Sequence, residues 1–327
     1  MTVTATARRT RAGISPGYWR GQRRRGSDRR RARARVKLTR MPQRLVITGA
    51  GGMVGRILAA QARRQGRDVS ALTSSDCDIT DTAAVARAVA AGDVVVNCAA
   101  YTDVDRAESE PERAHAVNAV GPGNLAAVCA RVGAGLIHVS TDYVFSGDFG
   151  GASPHPYEID DAPAPLSVYG RTKLAGERAV LDALPHGYVV RTAWVYEGAD
   201  GTDFVAAMRR KALGADTVDV VADQIGSPTS AHDLVAALLE IADGGVRGPL
   251  LHAANDGQAS RFDQARAVFE TVGADPERVR PVGSDRVPRP APRPAYSALS
   301  GAGSAACGLT ALRPWREALV SALRESR

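Results

Sequence analysis

The twenty residues "LVITGAGGMVGRILAAQARR", Leu45 to Arg64, leave this chain few folds to choose from. A short β-branched run passes through a glycine cluster directly into an amphipathic helical pattern, with no residues spare for a hairpin. The glycines stand at Gly49, Gly52 and Gly55, a Gly-x-x-Gly-x-x-Gly spacing at the strand-to-helix turn. Small residues there let an anion such as a pyrophosphate approach the unpaired N–H groups of a helix N-terminus. A tight turn can require glycine for purely structural reasons. Here strand, turn and helix follow in the order that a dinucleotide site needs, which favours cofactor binding.

The same alternation recurs downstream. "DVSALT" and "DVVVNCAA" read as strands, with the helix "DTAAVARAVAA" between them. Then come the helix in "PERAHAVNAVGPGNLAAVCARV", the strand "GLIHVST", the helix around "YGRTKLAGERAVLDAL" and the strand "YVVRTAWVY". Apolar strands that each lead into a helix predict a parallel sheet covered on both faces, a doubly wound α/β fold of the Rossmann type. After Trp194 the rhythm loosens into helices near "TDFVAAMRRKAL", "SAHDLVAALLEIA" and "RFDQARAVFETV", separated by polar turns. "RVPRPAPRPAYSALS" predicts an extended strap, and helix signals resume beyond it at "ALRPWREALVSAL", so the strap lies inside the fold. The expected organisation is a basic extension over 1–40, a cofactor-binding Rossmann-type domain over 41–196, and a smaller, mixed domain over 197–327. The last is mainly substrate-binding, with some segments returning to the sheet.

A formal charge of +7 and a pI near 9.5 would ordinarily raise nucleic acid as a partner. The charge is concentrated in residues 1–40, which hold thirteen Arg, Lys37 and a single acid, Asp28. That segment carries +13 and the remainder −6, so the folded body is mildly acidic and no nucleic acid is expected on it. The extension has little to bury and repels itself, so it is expected to be disordered; Met41, just before the first strand, is a candidate for the natural start. It lacks the apolar run of a secretory signal, and nothing in the chain reaches the ~18 to 20 apolar residues of a membrane span. Cys77, Cys98, Cys129 and Cys307 form no Cys-x-x-Cys pair and read as buried, reduced thiols, with the cytoplasm as the expected compartment and no membrane partner.

The end of the second strand bears on which dinucleotide binds. An NAD site usually places a carboxylate there, whereas this chain offers Thr73, Ser74 and Ser75. NADPH is therefore the expected cofactor, with NADH as the alternative. Asp78 and Ile79 stand where the adenine would lie, although Thr80 or Asp81 could serve simply as a helix cap.

Chemistry enters at "SVYGRTKLAG". Only three lysines occur, Lys37, Lys173 and Lys211, among 42 Lys and Arg residues, and Lys173 follows Tyr169 by four. Four residues is one turn of helix, so both side chains share a face. An adjacent ammonium lowers the proton affinity of a phenol, which can then act as a general acid towards a carbonyl oxygen. Arginine's planar fork does not substitute for the compact ammonium at a ribose hydroxyl. Upstream, Ser140, Thr141 and Asp142 close an apolar strand at its carboxyl end, where ligands of such sheets bind; local turn bonding is the simpler use of such residues.

Taken in order, "TGAGGMVG", "NCAAYTDVDRAE", "NAVGPGNLA", "STDYVFSG", "VYGRTKLAGE", "RTAWVY" and "DQIGSPT" resemble the extended short-chain dehydrogenase/reductases, and within them the dTDP-4-dehydrorhamnose reductase family, from Arg44 to the C-terminus. The resemblance implies that Tyr169 donates the proton, Lys173 binds the nicotinamide ribose and Thr141 completes a triad. It places Gly52, Met53 and Val54 at the pyrophosphate, Asp78 and Ile79 at the adenosine, and Ala100, Tyr101, Thr102 and Asn118 along the cofactor. Thr141, Asp142 and Trp194 would meet the sugar of a dTDP-sugar substrate; the strap would add Arg289 or Arg293 for phosphate. Some members of the family use magnesium at a dimer contact, but no compact acidic cluster in this sequence predicts it. Monomer and homodimer both accord with the sequence.

Three rival readings bear on this resemblance. Sugar-nucleotide dehydratases carry Thr-Asp-Glu where this chain has Thr141, Asp142 and Tyr143, which favours net reduction. A non-catalytic relative, the regulatory β subunit of methionine adenosyltransferase, is disfavoured because Tyr169 and Lys173 are both present. Ketoreductases of other deoxysugar pathways, including the one forming dTDP-dihydrostreptose, remain alternatives.

Overall fold

The structure is a computed structural model describing residues 43–198 and 201–325. The basic extension expected over 1–40 lies outside the described residues. Five strands, β1 (Leu45–Thr48), β2 (Val69–Leu72), β3 (Val94–Asn97), β4 (Gly135–Thr141) and β5 (Tyr188–Thr192), form a parallel sheet. A sixth strand, Leu250–His252, pairs in parallel with the outer side of β5. The spatial order is Leu250–His252, β5, β4, β3, β1, β2, so the direction of winding reverses between β1 and β3. Open sheets of this kind bind ligands outside the carboxyl ends of the strands at that reversal.

Each strand is apolar because both of its faces are covered. Leu45, Val46 and Ile47 are at most 2% exposed. Against one face pack helix α1 (Met53–Arg64) and the helix Ala231–Asp243, through Ile57, Leu58, Leu234 and Leu238. Against the other pack the helices Gly121–Val132 and Val168–Ala183, through Leu125, Val128 and Val180. The covering helix and the sixth strand thus come from beyond residue 230.

A separate core joins the helices Phe204–Leu213, Arg261–Val272 and Trp315–Glu325 through Val205, Phe269 and Leu319. Beside it Val218–Val221 pairs in parallel with Val279–Val282. Ser260 starts the middle helix with a reciprocal cap, accepting from the Asp263 amide while Asp263 accepts from its own. Such caps are worth about 1 kcal/mol. The proline-rich strap runs inside the fold as its sequence implied: Tyr296 bridges Ile225, and Leu299 bridges Tyr157.

Candidate active site

The glycine turn sits at the sheet's point of reversal. Gly49 adopts a left-handed φ of 71°, and a β-carbon there would lie 2.4 Å from the Ala99 nitrogen, so the chain leaving β3 passes directly over it. A β-carbon on Gly55 would lie 2.3 Å from the Gly49 carbonyl oxygen, which fixes how closely α1 approaches the turn. Gly52 begins α1 with no side-chain cap and no acid in the first turn. The positive end of the helix is therefore left to whatever enters the adjoining cleft.

That cleft has a volume of about 840 Å³. Of the residues expected from the sequence, Gly49, Gly52, Met53, Val54, Gly55, Thr73, Asp78, Ile79, Ala100, Thr102, Thr141, Asp142, Tyr169, Lys173 and Trp194 line it. Three do not. Asn118 is buried and braces the loop after β3, accepting from the Tyr101 N–H at 2.8 Å and donating to the Tyr101 carbonyl. The Tyr101 hydroxyl turns away to Glu110 at 2.9 Å. Arg293 ion-pairs with Asp105, donates to the Ala291 carbonyl, and bonds the Tyr143 side chain. These residues shape the wall from behind. At the β2 end an acid does stand close by, but Asp76 accepts both the amide and the hydroxyl of Thr73, which holds it below the usual carboxylate range.

The helix Val168–Ala183 delivers Tyr169 and Lys173. Ser167 caps it by accepting from the Gly170 amide. A β-carbon on Gly170 would be 2.2 Å from the Tyr143 carbonyl oxygen, and one on Gly176 2.1 Å from that of Asn118, so glycine lets this helix press onto its neighbours at both points. One turn further on, Glu177 grips Arg191 of β5 with two bonds of 2.9 and 2.7 Å and accepts from Ser140 of β4 at 2.6 Å. Both charges are buried, and the pairing ties the helix to the strand ends.

Lys173 points inward. Its Nζ donates to the Val139 carbonyl at 2.7 Å and lies 3.4 Å from His138 Nε2, and burial pulls its pKa down to about 8. The expected lowering of the Tyr169 pKa by this ammonium is not found. Burial raises the phenol above its ordinary value, a side-chain bond with Thr141 opposes that rise, and Asp142 and Tyr143 add to it. The phenol therefore keeps its proton across the neutral range. Tyr143 meets the Tyr169 ring edge to face, with centroids 5.8 Å apart.

Beyond Tyr169 the cleft is walled by Asp142 and Trp194. Asp142 is buried, which lifts its pKa to about 6 despite bonds from Ser297 at 2.6 Å and Thr141 at 3.1 Å. Several residues that belong here carry no clear signal in the sequence. Ser297 reaches Asp142 from the strap; Cys98, Thr192, Thr202 and Asp203 line the cleft. Thr192 lies beside Thr141 in register, and its buried hydroxyl has no protein partner. Only its position at a strand's carboxyl end could have flagged it. Cys98 and Cys307 are partly exposed, unlike the buried thiols expected of all four cysteines; Cys77 and Cys129 are buried. Among the described residues no group of three or more His, Cys, Asp or Glu could hold a metal, and no helix is long and apolar enough to cross a membrane.

A glycine cradle at the reversal of a parallel sheet, with a tyrosine and a lysine one helical turn apart in the same cleft, defines the short-chain dehydrogenase/reductase class. Comparison with known proteins narrows this. Residues 43–327 match the family described as the RmlD substrate binding domain. The chain is 68% identical over 313 residues to the dTDP-4-dehydrorhamnose reductase of Mycolicibacterium smegmatis, covering 95% of this chain and 93% of the relative. It is 66% identical over 281 residues to that of Mycobacterium tuberculosis, covering 86% and 92%. The crystal structure of dTDP-4-dehydrorhamnose reductase from Bacillus anthracis in complex with NADP is 34% identical and covers 87% of this chain and 100% of its own, with a TM-score of 0.81. The chain belongs to the dTDP-4-dehydrorhamnose reductase family.

Proposed function

We propose that this protein reduces the C4 ketone of a dTDP-4-dehydro-6-deoxy-sugar with NADPH, converting dTDP-4-dehydro-L-rhamnose to dTDP-L-rhamnose. One observation carries this reading: the uncapped glycine turn and the Tyr169, Lys173 and Thr141 side chains open onto a single cleft. The residues present suit a dinucleotide. Met53 and Val54 offer the amides of the first helical turn to a pyrophosphate, beside Gly52, whose own N–H is taken by the Gly49 carbonyl; Asp78 and Ile79 stand at the adenosine, and Lys173 reaches a nicotinamide ribose. When bound, NADPH supplies a hydride to the ketone carbon. Tyr169 gives its proton to the ketone oxygen, with Thr141 bonded to the phenol and holding it in place. Trp194 and Asp142 orient the sugar. Position 143 is Tyr rather than Glu, so the Asp-Glu pair of the dehydratases is incomplete here, with only Asp142 present, which supports reduction.

Incubating the protein with dTDP-4-keto-6-deoxy-L-hexose and NADPH, following the nicotinamide absorbance and identifying the product, tests this. Consumption of NADPH with formation of dTDP-L-rhamnose is expected. A folded protein that binds NADPH and turns over none of several such ketones would overturn the reading.

A further inference from the structure

A buried polar row crosses the sheet and ends at Lys173. Strand register sets Thr48 of β1 beside Asn97 of β3, and Asn97 beside His138 of β4. These three and Lys173 are each at most 2% exposed. Polar groups so far from water must pair, and here the pairing fixes the hydrogens one after another. Asn97 Oδ1 receives the Ala99 backbone N–H at 3.0 Å and the Thr48 hydroxyl at 2.8 Å. A backbone N–H can only donate, so this atom is the amide oxygen and the other terminus of Asn97 is its NH₂. That NH₂ lies 3.0 Å from His138 Nδ1, which must then accept, and the ring proton belongs on Nε2. Nε2 is the atom 3.4 Å from Lys173 Nζ.

We propose that His138, held by Asn97 as the Nε2–H tautomer, is a positioning residue that aims Lys173 and sets its affinity for a proton. An N–H dipole directed at the amine favours the uncharged form, whose lone pair can accept it, over the ammonium. Of the other groups facing Nζ, Glu177 on the same helix acts in the opposite sense and favours the charge, whereas the Cys98 thiol beyond β3, pushed up to about 12 by burial, stays neutral. The pull of Glu177 is already shared with Arg191 and Ser140. Tyr169, one turn back on the same helix, keeps its proton and adds no charge. His138 thus sets the balance that burial begins. Its consequence for turnover rests on the role proposed above for Lys173.

The scarcity of lysine makes this measurable in the full chain. With three lysines in all, isotope-labelled lysine gives a spectrum that a Lys173→Met variant assigns at once. Imidazole ¹⁵N shifts of the wild-type protein should report the Nε2–H tautomer at His138 at neutral pH; the Nδ1–H tautomer or an imidazolium overturns the proposal. His138→Phe should raise the titration midpoint of Lys173 by about half to one pH unit. Asn97→Asp, which accepts from Nδ1–H and turns Nε2 into an acceptor, should raise it as well, and by more than it does in a His138→Phe background. An unmoved midpoint in folded His138→Phe sinks the tuning role. Should that variant fail to fold, an unmoved midpoint in Asn97→Asp sinks it equally. Should neither fold, the wild-type tautomer decides. Failure of the wild-type protein to reduce its ketone would instead sink the proposed function and leave these titrations standing.

Discussion

Trp194 holds a left-handed backbone, φ 46°, and its indole lies so close to Gly226 that a β-carbon there would come within 2.4 Å of Cε2. The Arg261 guanidinium stands 3.6 Å from the centroid of the indole rings. A non-glycine residue at positive φ is costly, and here it is maintained by packing on a glycine and by a cation over the ring. The wall of the cleft is therefore set by contacts outside it. Gly226→Ala is expected to displace the indole, raise KM for the sugar nucleotide about tenfold or more, and cost about 1–3 kcal/mol of stability. Steady-state kinetics and denaturant titration check both, and an unchanged KM would mean that Trp194 does not contact the sugar.

Tyr169→Phe removes the proposed proton donor with little change to the shape of the cleft. Its kcat is expected to fall by about 10² to 10⁴ while NADPH binding, followed by fluorescence titration, stays near the wild-type value. Lys173→Arg is expected to lose most of its turnover although it keeps a positive charge, since the compact ammonium is replaced by a wider fork in a buried slot. Near-normal activity in either variant contradicts the roles assigned to the pair.

Turnover should decline as pH rises through about 8, where Lys173 loses its proton. The sign follows from the shift: burial lowers the pKa of this ammonium, so the charged form is confined to lower pH than for a free lysine. The phenol of Tyr169 does not define this limb, because its own pKa is raised. A pH profile of kcat/KM that stays flat to pH 10 would remove Lys173 from the reaction.

Asp142 imposes a stability cost that depends on pH. Its folded pKa of about 6 lies above the ordinary aspartate value of 3.8, so the folded protein holds this proton more tightly than the unfolded chain. Stability contributed by the group is therefore present at low pH and lost as pH rises through about 4 to 6. Asp142→Asn should gain about 1–3 kcal/mol at pH 7.5 and little at pH 4, read as Tm at the two values. Equal Tm changes at both would show that the carboxyl is not perturbed.

Glu177→Ala should destabilise the protein by about 3–5 kcal/mol, because it strands the Arg191 guanidinium in a buried site and deprives Ser140 of its acceptor. Denaturant unfolding reads the change directly. A loss below about 1 kcal/mol would mean that water or a neighbour relieves Arg191.

The sheet and the outline of the cleft were legible because their signals are local. Gly49, Gly52 and Gly55 lie within one turn, and Tyr169 and Lys173 within another, so spacing alone reports their geometry. What stayed hidden depends on distant parts of the chain meeting. Ser297 bonds Asp142 across 155 positions, and Arg293, which read as a phosphate ligand, is held by Asp105 from 188 positions away. His138 sits inside an apolar strand run, where only strand register reveals Asn97 on one side. The Tyr169 shift runs opposite to the expected direction for a similar reason: burial sets it, and no spacing rule measures burial.

The sixth strand, Leu250–His252, also constrains how the chain reaches this state. Until that strand leaves the ribosome, β5 presents an unpaired edge, and the face of α1 that meets Ala231–Asp243 has no cover. A nascent chain of about 200 residues, though it holds both Tyr169 and the glycine turn, is thus expected to be sticky and without activity. Chaperone demand during synthesis, and insolubility of any fragment ending before residue 252, follow from where one short strand falls in the chain.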